Sequence, residues 1–148
     1  MPKTSVVSMR MEASQEERLG KMARRLGRSP SETSALLVEE GLRRAEFAFV
    51  DFRDTPLGRQ AFIQGTRLSV WMVARIARLY GQDVERTAEH LGRSVLQIQA
   101  ALNYASAFPN EIQLASRDQE SSDPAKLSNL LPQTEVFVLG GTRGKSKK

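Results

Sequence analysis

The chain has 148 residues, 40% of them apolar, with no cysteine, one histidine and a formal net charge of +5. That length suits one ordinary domain or two small ones, and the missing cysteines exclude disulfides and thiolate metal sites. No apolar run approaches the ~20 residues of a membrane span and no charged head precedes an apolar signal core, so a soluble, cytoplasmic protein is expected.

The positive charge is spread thinly. Residues 1–50 hold nine Lys or Arg against seven acids, residues 51–110 seven against five, and residues 111–148 six against five. A polyanion site must therefore be sought in local patterning. Residues 5–11, S-V-V-S-M-R-M, alternate as a short strand. Val7, Met9 and Met11 share one face; Val6, Ser8 and Arg10 share the other. Ser14 is expected to cap a helix whose first turn carries Glu16 and Glu17, where the dipole favours negative charge. Leu19, Met22, Ala23 and Leu26 form its apolar stripe, and Gly27 is a left-handed stop. Ser29 caps the next helix, with Pro30 at its first position and Glu32 completing a capping box. That helix carries Ala35, Leu36, Val38 and Leu42 and ends near Glu46.

From Phe47 the texture changes. F-A-F-V-D-F and R-Q-A-F-I read as two short strands around the turn D-T-P-L-G. Ser69 caps a largely apolar helix to Tyr80, interrupted by Arg75 and Arg78. Asp83 caps another to Leu91, Gly92 ends it, and Ser94 caps a third reaching about Phe108. Along this third helix Val95, Ile98, Leu102 and Ala105 are expected inside, while Gln97, Gln99 and Asn103 project elsewhere. Pro109 is expected to close the fold, and order is expected to fade beyond Ser116. Arg67 is expected to bond Asp51 or Asp54, Trp71 to fill the core, and Gly65 to mark a tight turn. The fold class is thus mainly α with short β. It divides into 1–46, 47–112 with a β-hairpin and three helices, and a basic tail over 113–148.

The pattern from V-V-S-M-R-M through G-R-S-P-S-E to E-E-G-L-R-R resembles a ribbon-helix-helix DNA-binding domain over residues 1–46. A lone strand cannot satisfy its backbone groups, whereas two chains can pair theirs into a ribbon that fits the major groove. On that resemblance the chain is a homodimer or higher homo-oligomer on double-stranded operator DNA. Val6, Ser8 and Arg10 would meet bases; Arg28, Ser29 and Ser31, at a helix N-terminus, would meet phosphate. The simpler alternative is an ordinary capped helical hairpin, which leaves the polar strand face with Arg10 unexplained.

Residues 48–111 resemble a short bacterial helix-turn-helix domain found in predicted antitoxins paired with PIN-like nuclease toxins. The matching segments are F-R-D-T-P-L-G-R, G-T-R-L-S-V-W, D-V-E-R-T-A-E-H-L and A-L-N-Y-A. Gln and Asn can pair with adenine, yet no Lys or Arg occurs from Ser94 to Ser116, so DNA contact and a dimerising or partner-docking role both stay open. In the tail, segment 127–139 offers Leu127, Leu130, Leu131, Val136, Phe137 and Val138 as toxin contacts; a disordered tail, or a strand returning to its own fold, is the alternative. The implied function is an antitoxin that represses its own operon and neutralises a PIN-like ribonuclease, nucleoid-associated when on DNA. The alternative is a dedicated regulator without a toxin. His90, Asp51, Asp54 and Asp83 do not assemble into catalytic or metal spacing, so no enzyme activity, cofactor or metal is expected.

Overall fold

A computed structural model describes residues 4–121. The order of elements is α1 (Ala13–Leu26), α2 (Pro30–Glu46), β1 (Val50–Thr55), β2 (Gly58–Ile63), α3 (Val70–Leu79), α4 (Val84–Leu91), α5 (Val95–Ala107) and α6 (Pro109–Ser121). The described chain is mainly helical with one small antiparallel sheet.

Residues 4–11 hold no secondary structure, so the strand expected over 5–11 is absent from a single chain. Extended backbone needs a neighbour for its N–H and C=O groups, and no described strand lies beside it. The start of α1 also differs from expectation. Glu12, not Ser14, occupies the N-cap, and its N–H donates to the Gln15 side chain at 3.1 Å. At α2 the cap is Ser29, whose hydroxyl accepts from the Glu32 N–H at 3.1 Å. Thr33, wholly buried, donates to the Ser29 carbonyl at 2.9 Å.

β1 and β2 pair in register from Val50 opposite Ile63 to Thr55 opposite Gly58. The turn closes because Thr55 Oγ1 donates to the Gly58 carbonyl at 2.8 Å and accepts from the Leu57 N–H. Alternation then puts Val50 and Phe52 directly across from Ile63 and Ala61 on the face that is buried. Against that face pack Val70, Trp71 and Val73 of α3, Ala88 of α4, Ile98, Ala101 and Tyr104 of α5, and Ile112 of α6. Fully burying one such aliphatic side chain contributes about 1.5–3 kcal/mol. The buried residues of this core run from Val50 to Ile112, with Phe47 and Ala115 packed half-buried at its edges. The α1–α2 hairpin has no counterpart; its fully buried residues are Ala23, Thr33 and Glu40.

Two further expectations are corrected. Pro109 does not close the fold but opens α6, which reaches Ser121 and puts Ile112 into the core. Proline suits a first helical turn because its missing N–H is unneeded there. Val95 is 47% exposed rather than buried, since it stands in the first turn of α5 ahead of Ile98; Ala101 and Tyr104 fill the interior instead. Gly65 does sit at positive φ, and Trp71 is buried. Arg67 makes no ion pair with Asp51 or Asp54, because Arg44 holds the first and Arg59 and Arg25 hold the second. Among the described residues no helix is long and apolar enough to cross a membrane. The suggested contacts from Leu127 to Val138 lie outside the described residues.

Candidate nucleic-acid interface

The two A-x-x-L-G-R-S segments fold into the same turn. In the first, the Arg28 N–H reaches back to the Ala23 carbonyl at 3.0 Å and the Gly27 N–H to Arg24 at 3.2 Å. In the second, Arg93 reaches Ala88 at 3.0 Å and Gly92 reaches Glu89 at 3.2 Å. Gly27 and Gly92 stand at φ 65° and 62°, where a side chain is disfavoured, and each satisfies carbonyls left open at a helix end. Ser29 and Ser94 then cap the following helices through Glu32 and Gln97.

What surrounds the turns differs. Arg28, Ser29 and Ser31 are exposed at the start of α2, and Arg28 makes no ion pair with any described residue. Free N–H groups and the helix dipole there favour an anion. The second turn opens instead on Val95 and Leu96, 47% and 71% exposed. In a DNA-reading helix-turn-helix those first positions touch base edges. Farther along α5, the Gln99 amide donates to Asn103 at 2.9 Å, so the two are bonded to each other.

The N-terminal segment shows its alternation against α2. Val7, Met9 and Met11 line a groove of about 570 Å³ together with Ser31, Ala35 and Val38. Val6, Ser8 and Arg10 stand outside that lining and are exposed, Val6 at 92%. The apolar lining is itself exposed: Val7 at 86%, Met9 at 60%, Val38 at 53% and, farther along α2, Leu42 at 53%. Val38 and Leu42, read in the sequence as part of one apolar helix, are thus left outside the protein's own core.

The α1–α2 hairpin is fastened to the core unit by charge. Arg59 of β2 donates through Nε and Nη2 to the carboxylate of Glu40, which is only 3% exposed. Its Nη1 reaches Asp54 at 3.0 Å. Arg44 bridges to Asp51 at 2.9 Å, and Arg25 of α1 to Asp54 at 3.5 Å. Near the end of α2, Arg43 donates to Glu111 at 2.8 Å and to the Tyr104 hydroxyl at 2.7 Å, and lies 3.8 Å from the centre of the Phe108 ring. Tyr104 in turn donates to Glu111 at 2.5 Å.

These contacts move the titrating groups. Burial alone would lower the Arg43 pKa, but bonds to Glu39, Glu111 and Tyr104 raise it above its ordinary value. Burial and then Glu111 push the Tyr104 phenol above its usual range, with Arg43 opposing. For Asp51 burial works upward, but the Phe52 N–H and Arg44 outweigh it and hold the carboxyl below the usual range. None of this fastening was singled out from the sequence except Asp51 and Asp54. Arg43 carried one usable signal, Glu39 four residues earlier. His90, the chain's only histidine, bonds the Tyr80 hydroxyl through Nδ1 at 2.8 Å. Among the described residues no group of three or more acids or histidines is placed to hold a metal.

No family model, curated protein or solved structure matches the chain.

Proposed function

We propose that two copies of this chain pair residues 5–11 as an antiparallel ribbon and bind an operator as a ribbon-helix-helix dimer. Val6, Ser8 and Arg10 face the major groove, and Arg28, Ser29 and Ser31 orient the dimer on phosphate. The central unit serves protein contact, and the whole acts as a cytoplasmic antitoxin that represses its own operon and neutralises a PIN-like ribonuclease. One observation carries the reading: Val7, Met9 and Met11 line an apolar groove with α2 that nothing in the described chain covers, while Val6, Ser8 and Arg10 lie outside it. A second copy supplies both the missing strand partner and the missing cover. The uncharged, apolar start of α5 supports the assignment of protein contact to the central unit.

The test is a gel shift on DNA upstream of the coding sequence, with co-expression of the adjacent reading frame. Arg10→Ala is expected to weaken specific binding by roughly tenfold or more, the discrimination of a bidentate guanine contact, and to leave a captured partner bound. DNA binding that survives Arg10→Ala and is lost with Gln97→Ala and Asn103→Ala reverses the roles of the two units. A shift with no captured partner leaves the dedicated regulator.

A further inference from the structure

Between α3 and α6 runs a groove of about 420 Å³ that no part of the proposed DNA contact uses. Trp71, Ala74 and Ile112 line it as apolar groups, and Arg75, Arg78 and Arg117 as cations. Arg75 and Arg78 stand one helical turn apart on α3, and Arg117 comes from α6. None of the three makes an ion pair with a described residue, and no acidic side chain among the described residues lines the groove. Arg25, Arg43, Arg44, Arg59 and Arg86 each have a carboxylate, whereas Arg10, Arg18, Arg24, Arg28, Arg53, Arg67 and Arg93 have none among the described residues. What sets Arg75, Arg78 and Arg117 apart is that they line one groove. At the end of α3, Leu79, which also lines the groove, is 74% exposed.

We propose that this groove receives an acidic, apolar segment of a partner protein. Its carboxylates pair with Arg75, Arg78 and Arg117, and its apolar side chains set against Trp71, Ala74 and Leu79. Charge complementarity specifies the partner: three cations without a counter-ion among the described residues stand beside Trp71, Ala74, Leu79 and Ile112, with Gln113 and Ser116 completing the lining. A DNA backbone offers anions for the arginines and could meet Ser116 and Gln113, but its polar sugar-phosphate surface leaves Trp71, Ala74, Leu79 and Ile112 without a partner. A protein segment uses both features, with a buried apolar centre and a charged rim. The proposal stands apart from the DNA reading and holds whether or not the partner is a nuclease.

Trp71 is the chain's only tryptophan and lines this groove, though also two neighbouring pockets, so its emission serves as the signal and the arginine variants assign it to the groove. A random peptide library displayed on phage is panned against the full chain, and enriched peptides are synthesised and titrated against Trp71 fluorescence. Enriched peptides are expected to combine Asp or Glu with large apolar residues and to shift the emission saturably. The variant R75E/R78E/R117E is expected to weaken them by about tenfold or more, the sum of three exposed ion pairs. R75Q/R78Q/R117Q, a milder change on exposed positions, is expected to melt as the parent does and to weaken the same peptides to a smaller degree. Peptides without carboxylates, or affinities equal in parent and both variants, overturn the proposal. So does an arginine-dependent shift of Trp71 emission by random-sequence duplex DNA that the peptides do not produce. Emission that changes with protein concentration alone assigns the groove to a second copy and also overturns it.

Discussion

Glu40 and Glu39 are neighbours on α2 with opposite fates, and this permits a sharp test of what fastens the hairpin to the core. Glu39 is exposed and pairs with Arg43 across one helical turn. Glu40 is buried against Arg59, whose side chain is 16% exposed. Replacing Glu40 by Met keeps the volume but leaves the Arg59 charge buried with only Asp54 beside it, at 3.0 Å. Removing one partner of a buried pair costs about 3–5 kcal/mol. With Asp54 still in place, the lower end applies, about 3 kcal/mol. At roughly 3 °C per kcal/mol for a chain of this size, the melting temperature falls by about 10 °C. Glu39→Met removes an exposed i,i+4 pair worth about 0.3–0.5 kcal/mol and moves the midpoint by a degree or two. The double variant Glu40→Met with Arg59→Met replaces the pair by packed apolar groups and should recover most of the loss. Thermal melts followed by circular dichroism read all four proteins. Equal effects at Glu39 and Glu40, or a double variant no more stable than Glu40→Met alone, would refute the assignment.

Two other predictions follow from the same geometry. Val38→Glu places a charge in the apolar stripe proposed to meet a second copy, so the dimer dissociation constant should rise about a hundredfold or more, with the helical content intact; unchanged sedimentation would reject that interface. Asp51 is held below its unfolded pKa by Phe52 N–H and Arg44 despite burial, so its stabilisation is full above the unfolded value and is lost as pH falls through the folded one. Asp51→Asn should therefore flatten the acid side of the stability profile below about pH 4, as read by urea titrations at stepped pH, and leave the alkaline side unchanged.

The parts of the fold readable from the sequence are those governed by neighbours along the chain. Gly27, Ser29, Gly92 and Ser94 act through bonds three to five residues long, so four helix ends at two turns follow from spelling alone. The hairpin was equally local, with Thr55 and Gly58 closing it. At the start of α1 Ser14 was the stronger statistical cap, yet the Glu12–Gln15 bond won two residues earlier. Residues decided by distant contacts escaped. Glu40 looks like any solvated acid until Arg59, nineteen residues on, is placed against it. The sequence offers Arg67 to Asp51 or Asp54, but Arg44 and Arg59, brought up by the fold, hold those carboxylates instead. Pro109 reads equally as a stop and as a first helical residue, and only Ile112 in the core decides between them. For the candidate interface, the alternation of residues 5–11 was visible in sequence, whereas the uncovered groove on α2 was not.

Fastening by buried charge has a consequence for how the proposed activities combine. An apolar seam alone would hold α2 to the core unit without much preference for register. A buried pair is costly unless its partners meet in one geometry. Glu40–Arg59 near the middle of α2 and Arg43 with Tyr104, Glu111 and Phe108 near its end define two such points. Two separated points fix the direction of a helix as well as its position. On the proposed reading α2 is also the helix whose N-terminus meets phosphate. The central unit, and with it the groove between α3 and α6, then sits at a set angle to the bound DNA. A partner seated in that groove would be carried at a defined place beside the operator, and loosening Glu40–Arg59 should blur that placement before it abolishes DNA binding.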